Sequence, residues 1–578
     1  MSRDQNDHTM NPLYVVGRSR SNDTHTSNLT STMRQNVDGT IAIFTSSTDK
    51  SGDREVYSEI PLLAIHGMRT RPRSEGDVFG YYRENLEEAW DNKRLPFDPK
   101  EFQSGHVTAP LLIATVATAT LQFLVGYNLV ILNTPEKYVF PGHRTATWSL
   151  AVASLAIGAP GGAVLGGKLS AGEGRRFTLL LDILIFLLGE TMQALAPDLP
   201  SLIFARFIIG IASGMATVLV PIYLGELAPP HLRGTLGTIN QLAYVIGILA
   251  ADLASFELAT ENSWRQLFFV SVIISLVQLT LMPWVVESPV WLTQKNPDDK
   301  TVIPLLQNLR GYETAKDVDR ELATYIRAAK LNGQDNDSQR ELWRELMSRS
   351  HYCYLFICII VLHTSQQLCG ISAVFYYSTK LFEKIIENPL VGTTLIGSVN
   401  VIFTYIALLL MDSSRRKPLL LWSIGGMIFA CTTLVLAQVG IFGGSGSSVA
   451  LVAVNCYVAF YEIGIGPIPW LIIAEMFEAK YVPLIMSICS QLSWIVNFVV
   501  SLSFPTLHSH LGEYTFVPFA ILLCFSFTFI WVALPETQGK TPAEVGRDVQ
   551  QKKTAAATDE EVASSSYHCS CMGDGMMT

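Results

Sequence analysis

Apolar runs of about twenty residues recur along most of the chain, separated by short polar stretches. They fall at about 109–131, 147–166, 177–197, 202–223, 235–255 and 265–285. After a polar gap they resume at about 353–377, 391–411, 418–440, 448–474, 483–506 and 514–534. Each approximates the length that a helix needs to cross a bilayer, so the pattern predicts twelve spans arranged six plus six. The run at 448–474 is interrupted by Gly464, Gly466, Pro467 and Pro469 and is the least regular of the set.

The distribution of Lys and Arg sets an orientation. Arg175, Arg176, Arg233, the Arg415-Arg416-Lys417 cluster and Lys480 all lie in alternate connections, together with the 286–352 segment and both tails. The opposite connections "APDLPS", "ELATENS" and "GIFGGSGSS" contain neither residue, while "EKYVFPGHR" breaks the trend. By the positive-inside tendency both termini and the central segment are expected on the cytoplasmic side. No apolar signal-peptide core precedes the first span.

Composition agrees with a multi-pass membrane protein. The 578 residues are 49% hydrophobic and 16% charged, with a mean hydropathy of +0.30. Several chemistries find no support. "GKT" at 539–541 lacks the leading glycine of a phosphate-binding loop, and there is no HExxH or CxxC. No cofactor, no metal and no nucleic-acid partner is expected, nor an enzymatic reaction. Seven of nine cysteines lie in apolar spans, where packing is their ordinary role. His568, Cys569 and Cys571 cluster in a tail that reads as disordered.

The two sets of spans repeat each other. "GELAPPHLRG" follows the fourth span and "AEMFEAKYVP" the tenth, placing Glu226 and Glu475 about 249 positions apart. "ESP" closes the sixth span and "PETQG" the twelfth, with Glu287 and Glu536 again about 249 apart. "GEGRR" and "DSSRRK" recur at about 240. Such duplication is the trace of two parallel six-helix halves with a binding site between them.

The stretches "ARFIIG", "PIYLGELAPPHLRGTLGTINQL", "ESP", "QQLCGISAVFYYST", "GPIPWLIIAEMF" and "LPETQGKT" follow in the order of a sugar porter of the major facilitator superfamily. The chain resembles the facilitative glucose (hexose) transporters of that family over about residues 110–545. The resemblance implies an all-α membrane protein with about twelve transmembrane helices in two pseudo-symmetric halves. It divides the chain into a polar, mostly disordered region (1–108), a six-helix bundle (109–285), a cytoplasmic helical linker (286–352), a second bundle (353–535) and a tail (536–578). In the linker, Leu306, Leu309 and Val318 are expected to face the bundle.

It further implies a cytoplasmic gate at Arg175, Arg176, Glu226, Arg233, Glu287, Asp412, Arg416 and Glu475, with Glu226 near Arg175 or Arg176 and Arg233 near Glu287. The chain departs from the family pattern at Ala171-Gly172, Val290, Val482 and Ser413-Ser414-Arg415. Fewer ion pairs there are expected to weaken the outward-facing state.

Polar residues inside spans mark a pathway or a packing hydrogen bond. Gln241, Gln366, Gln367, Ser372, Asn400, Glu462, Trp470 and Asn497 resemble the family's sugar-binding set position by position. Carboxamides donate and accept from one uncharged group, which suits a neutral polyol. On an ideal helix Ser372 would lie about 140° around from Gln367. Gly370 between them therefore predicts a break, as do the glycines and prolines of the tenth span. Ser372 stands where the family usually has Asn, and Tyr461 where glucose carriers have Phe. D-glucose is the default substrate, with fructose, galactose or an inositol as alternatives.

Asn128 replaces the Asp of proton-coupled relatives, which favours uniport over proton symport, while the membrane-embedded Glu462 keeps symport open. A non-transporting sugar sensor is the third reading. The expected setting is a plasma membrane, with a monomeric transport unit and the lipid bilayer and a small neutral sugar as partners.

Overall fold

The computed structural model describes residues 107–551 apart from 230, 231, 298, 312–317, 319–320, 327–338, 384, 412, 413 and 479, and the backbone of four short strands near the N-terminus. Two units are distinguished, Met1–Pro96 and Phe97–Thr578. In the first, β1 (Tyr14–Val15), β2 (Leu29–Gln35), β3 (Ile41–Ser47) and β4 (Ser58–Glu59) form an antiparallel sheet in that order. β2 and β3 pair from Leu29 opposite Ser47 to Gln35 opposite Ile41. Thr30, Thr32, Ile41 and Ile43 are β-branched residues suited to extended backbone.

The described elements of the second unit are helical. The first half comprises α1 (Ala109–Val130), α2 (Thr145–Gly172), α3 (Arg175–Leu195), α4 (Leu199–Leu227), α5 (Arg233–Leu258) and α6 (Trp264–Leu281). Short helices α7 (Pro289–Lys295), α8 (Val302–Arg310) and α9 (Gln339–Ser348) follow. The second half comprises α10 (Ser350–Leu368), α11 (Ile371–Phe382), α12 (Pro389–Met411), α13 (Arg416–Gln438), α14 (Gly446–Ile463), α15 (Ile468–Met476), α16 (Val482–Leu511) and α17 (Val517–Ala533). Eleven described segments are long and apolar enough to cross a membrane, and α17 is a shorter apolar helix. Twelve crossings result because α10 with α11, and α14 with α15, each make one broken span.

Packing is tightest where side chains are smallest. A Cβ added at Gly158 or Gly162 of α2 would collide with the α4 backbone at Phe207 or Ile211, and one at Gly210 or Gly214 of α4 would strike Leu155 or Ala159 of α2. The glycines thus let two backbones approach each other directly. The two halves meet along α2 with α16 and along α5 with α12.

They are also clasped at the end remote from α7–α9. Asn133 Nδ2 donates to Ser378 Oγ at 2.7 Å, and Thr379 N donates to Asn133 Oδ1 at 3.2 Å. Lys380 pairs with Glu136 at 3.1 Å and Lys137 with Glu383 at 2.9 Å. Glu383 holds the Lys137 ammonium above the usual lysine range by hydrogen bonding and charge. The connection "EKYVFPGHR", which broke the Lys/Arg trend, supplies two of these charges.

Between the halves, Leu306, Leu309 and Val318 are all buried, but not alike. Leu309 joins the main bundle core, whereas Leu306 and Val318 pack with Val302, Leu322 and Tyr325 in a separate small core. Arg310 anchors that core through Glu321, whose carboxylate accepts from Nη2 at 2.6 Å, while Arg310 Nη1 donates to the Leu227 carbonyl at 2.5 Å.

Candidate functional site

Gly370 breaks the seventh span as its sequence position suggests. It adopts φ +88°, in the left-handed region that glycine enters without penalty, and a Cβ there would fall 2.7 Å from the Phe519 ring. The turn brings Ser372 back over the end of α10, where its Oγ donates to Gln367 Oε1 at 3.3 Å. Asn497 of α16 donates through Nδ2 to Ser372 Oγ at 2.8 Å and approaches Gln367 Oε1 at 3.5 Å. Its Oδ1 accepts from the Tyr376 hydroxyl at 3.1 Å. Gln367, Ser372 and Asn497 thus form one network, which Tyr376 joins.

Gln366 does a different job. Its Nε2 donates to the carbonyls of Ile465 at 3.0 Å and Gly466 at 2.5 Å, in the break between α14 and α15. A helix broken within a membrane leaves carbonyls without intrahelical donors, and a neighbouring side chain must satisfy them. Because both neighbours are carbonyls, the side-chain orientation is fixed with nitrogen toward them. Gln366 Oε1 then has no partner and is buried. The first broken span therefore satisfies the second through one half of an amide and leaves the other half unpaired.

Asn400 of α12 is 1% exposed, and neither its Oδ1 nor its Nδ2 has a partner. One turn along, Thr404 Oγ1 donates to Glu462 Oε2 at 3.1 Å. Trp470 lies edge-on to His363 with ring centroids 4.6 Å apart, and His363 Nδ1 is 3.4 Å from Ser493 Oγ. Tyr461 is half-buried, and its carbonyl accepts from Gly466 N at 2.9 Å. Gln241 lies on α5 with an exposed side chain and makes no hydrogen bond to the other seven.

The charged residues form the same device twice. Arg175 binds Glu226 through two bonds, Nε at 2.8 Å and Nη2 at 2.7 Å, while its Nη1 donates to the Ser170 carbonyl. Glu287 caps the start of α3, accepting from Arg175 N at 2.9 Å and Arg176 N at 3.2 Å. In the second half Arg416 binds Glu475 through Nη2 at 2.9 Å and Nε at 3.1 Å, and its Nη1 donates to the Met411 carbonyl. Glu536 caps α13, accepting from Arg416 N at 3.0 Å. A carboxylate on a helix N-terminus meets both unpaired N–H groups and the positive end of the dipole. All of these contacts lie within one half or the other. The side chain of Arg233 and all of Asp412 lie outside the described residues.

Side chains absent from the sequence-derived set join the buried polar groups: Tyr376, Thr404 and His363 in the second half, and Glu190 and Arg206 in the first. Asn128 Nδ2 donates to Glu190 Oε1 at 2.8 Å, and Arg206 Nη1 donates to the Asn128 carbonyl. The available signal was a charge inside an apolar run, at Glu190 of "LLGETMQ" and Arg206 of "ARFIIG".

Two six-helix halves that meet along two helix pairs, each half carrying the same charged device, with two broken helices and buried unpaired amides in the second half, define a membrane transporter of the major facilitator class. The model of the family "Sugar (and other) transporter" matches residues 113–548, and this chain belongs to that family. It is 35% identical over 473 residues to the human protein "Solute carrier family 2, facilitated glucose transporter member 4", covering 75% of this chain and 90% of that one. It is 34% identical over 466 residues to member 3 from Mus musculus, covering 76% and 92%. Among solved structures it is similar to the inward-open conformation of the xylose transporter XylE from E. coli. The TM-score is 0.63 and the identity 26%, over 75% of this chain and 99% of that one. The chain is thus a multi-pass membrane sugar transporter.

Proposed function

We propose that this protein is a uniporter that moves a hexose, D-glucose by default, down its gradient by alternating access. The observation that carries this is the state of the amides. Gln366 Oε1, adjacent in sequence to the Gln367–Ser372–Asn497 network, and both polar atoms of Asn400 are buried and unpaired. A buried amide without a partner costs about 1–3 kcal/mol, which hydroxyl groups of a bound sugar would offset. Each such amide offers a donor or an acceptor with no formal charge, the chemistry of a neutral polyol.

In this reading Gln241, Gln366, Gln367, Ser372, Asn400, Glu462, Trp470 and Asn497 contact the sugar, and Tyr461 tunes its identity. The end with α7–α9 is cytoplasmic, the clasped end faces outward, and the protein resides in the plasma membrane as a monomeric unit. The clasp of Asn133 and Glu136 with α11 and of Lys137 with Glu383 just beyond it, with the Arg–Glu pairs confined to single halves, corresponds to the inward-facing state. Arg175, Arg176, Glu226, Arg233, Glu287, Asp412, Arg416 and Glu475 then hold helix ends together as each half moves. The names of the two carriers of family 2 agree with facilitated glucose transport.

Proton symport is the second reading. It is favoured by the buried carboxylates Glu190 and Glu462 and by a structural neighbour titled "Crystal structure of D-xylose-proton symporter". Labelled D-glucose uptake into proteoliposomes, with and without an imposed proton gradient, separates the two. Equilibrating flux indifferent to the gradient supports uniport; accumulation above the external concentration overturns it.

A further inference from the structure

A tyrosine of the first half faces Glu462 of the second with its hydroxyl unused. Tyr244 lies on α5 three residues beyond Gln241, which on an ideal helix is about 4.5 Å along the axis and about 60° around it. Its backbone is held against α1, since a Cβ added at Gly126 would fall 2.0 Å from the Tyr244 carbonyl oxygen. Its ring is half-buried and packs on the main core. Tyr127, Tyr223, Tyr376, Tyr377 and Tyr457 each donate their hydroxyl to a protein acceptor, as buried tyrosines ordinarily do. The Tyr244 hydroxyl makes no hydrogen bond to any described residue.

Helix register puts Tyr244 at the level of Glu462. α5 and α12, the fifth and eighth spans, pack together and run in opposite directions. A Cβ added at Gly397 of α12 would fall 3.0 Å from Asp252 Oδ2 and 3.4 Å from the Leu249 Cα, both on α5. Seven residues on from Gly397, about 10.5 Å along α12, stands Thr404. Five residues back from Leu249 and eight from Asp252, about 8–12 Å along α5, stands Tyr244. Thr404 Oγ1 donates to Glu462 Oε2 at 3.1 Å, and the other oxygen of that carboxyl has no partner among the described residues. Tyr244 accordingly interacts electrostatically with Glu462 and Tyr376, and Tyr461 interacts with both Glu462 and Tyr244. No hydrogen bond joins Tyr244 to Glu462 directly. A donor on α5 and an acceptor on α14 therefore face each other across the boundary between the halves.

Building on the sugar-transport reading, we propose that Tyr244 is a further sugar-contacting, specificity-determining residue, and that one sugar hydroxyl bridges it to Glu462. That hydroxyl accepts from the tyrosine O–H and donates to Glu462 Oε1. A hydroxyl donates and accepts through a single oxygen, which suits a gap bounded by one donor and one acceptor. Removing it from the sugar leaves both protein groups unpaired, at about 5- to 150-fold in affinity. Gln367, Ser372 and Asn497 all belong to the second half, so a hydroxyl held by them reports to that half alone. The bridging hydroxyl is read by both halves, and it ties α5 to α14 while the sugar is bound.

A deoxy-sugar scan tests this. Equilibrium binding to the purified full-length protein is measured for D-glucose and for its 1-, 2-, 3-, 4- and 6-deoxy analogues. Each Kd is taken relative to that of D-glucose in the same protein, which cancels differences in active fraction and in fold stability. Tyr244→Phe keeps the ring and removes only the hydroxyl. It should shrink the ratio at one position by about fivefold or more and leave the other four unchanged, while D-glucose itself binds several-fold more weakly. Glu462→Ala should shrink the ratio at the same position. Five ratios unmoved in Tyr244→Phe, or all five moved alike, would overturn the assignment and leave Tyr244 a packing residue. A Glu462→Ala effect confined to other positions would overturn the bridge. Where D-glucose does not bind, the deoxy series of fructose, galactose or an inositol takes its place. A wild type that binds none of these would overturn the sugar reading and this assignment with it.

Discussion

Gln366 on α10 donates through its side-chain nitrogen to the carbonyl of Gly466 at 2.5 Å, joining the seventh span to the break in the tenth. One residue thereby serves structure with its nitrogen and leaves its oxygen free for a ligand. Gln366→Ala should lower both stability and sugar binding, because it strips the donor from two carbonyls at about 1–3 kcal/mol. Gln366→Glu should be worse, since a carboxylate would face those carbonyls. Thermal unfolding of purified protein with and without D-glucose checks this; an unchanged Tm in Gln366→Ala would remove its structural role.

Gln367 separates the two functions. Its side chain makes only long contacts, at 3.3 and 3.5 Å, so its loss should cost the fold little. Gln367→Ala is expected to abolish or strongly weaken transport while leaving membrane insertion and Tm near wild type. Near-normal uptake in proteoliposomes would take this residue out of the sugar site.

Gly370 holds Ser372 against Gln367 by its positive φ. Gly370→Ala forces a side chain into the left-handed region, at roughly 1–2 kcal/mol, and against the Phe519 ring. Reduced thermal stability and weakened sugar binding should appear together, and a variant normal in both would contradict the geometric account.

The clasp between Glu136 and Lys380 is half-exposed and tests the conformational cycle. Pairs of this kind contribute about 0–1 kcal/mol each, so losing one should shift the balance between facing states by up to about fivefold, and reversing one charge adds like-charge repulsion to that loss. Glu136→Lys and Lys380→Glu should each favour opening of that end, and the double reversal should restore closure. Accessibility of a cysteine placed beside Asn133 reports the state. High salt should shrink the single-variant effects, since exposed pairs are screened.

The repeated Arg–Glu pairs offer a symmetric comparison. Glu226→Gln and Glu475→Gln each remove the charge and replace one of the two acceptor oxygens of a partly buried, bidentate arginine bond with a donor amide. Each should slow transport and lower Tm, and the effects should add, because the pairs lie in separate halves without shared partners. Strong non-additivity in Tm would show that the two devices are coupled through the moving interface.

The twelve spans were readable from the chain because a bilayer imposes one simple condition, about twenty apolar residues whose backbone bonds are met within the helix. Both helix breaks were readable too, since glycine and proline at Gly370, Gly464 and Pro467 act locally. The duplication exposed Glu226 with Glu475 and Glu287 with Glu536 as counterparts. Spacing alone did not reveal that Glu287 and Glu536 sit on helix N-termini, because it does not show where a carboxylate points.

What only the tertiary structure decided lies between helices remote in sequence. Asn128 is an amide and by itself cannot carry a proton; the carboxylate it touches comes from Glu190, sixty-two residues away. Gln366 meets the tenth span ninety-nine and one hundred residues on, and no periodicity within either helix records that contact. Leu306 and Val318 are as buried as Leu309, yet they form a core of their own. Apolar length and local breaks follow from the chain's interaction with lipid and with its nearest neighbours, and these are written residue by residue. Partner choice among buried polar groups follows from how whole helices pack, which emerges only when helices remote in sequence are assembled.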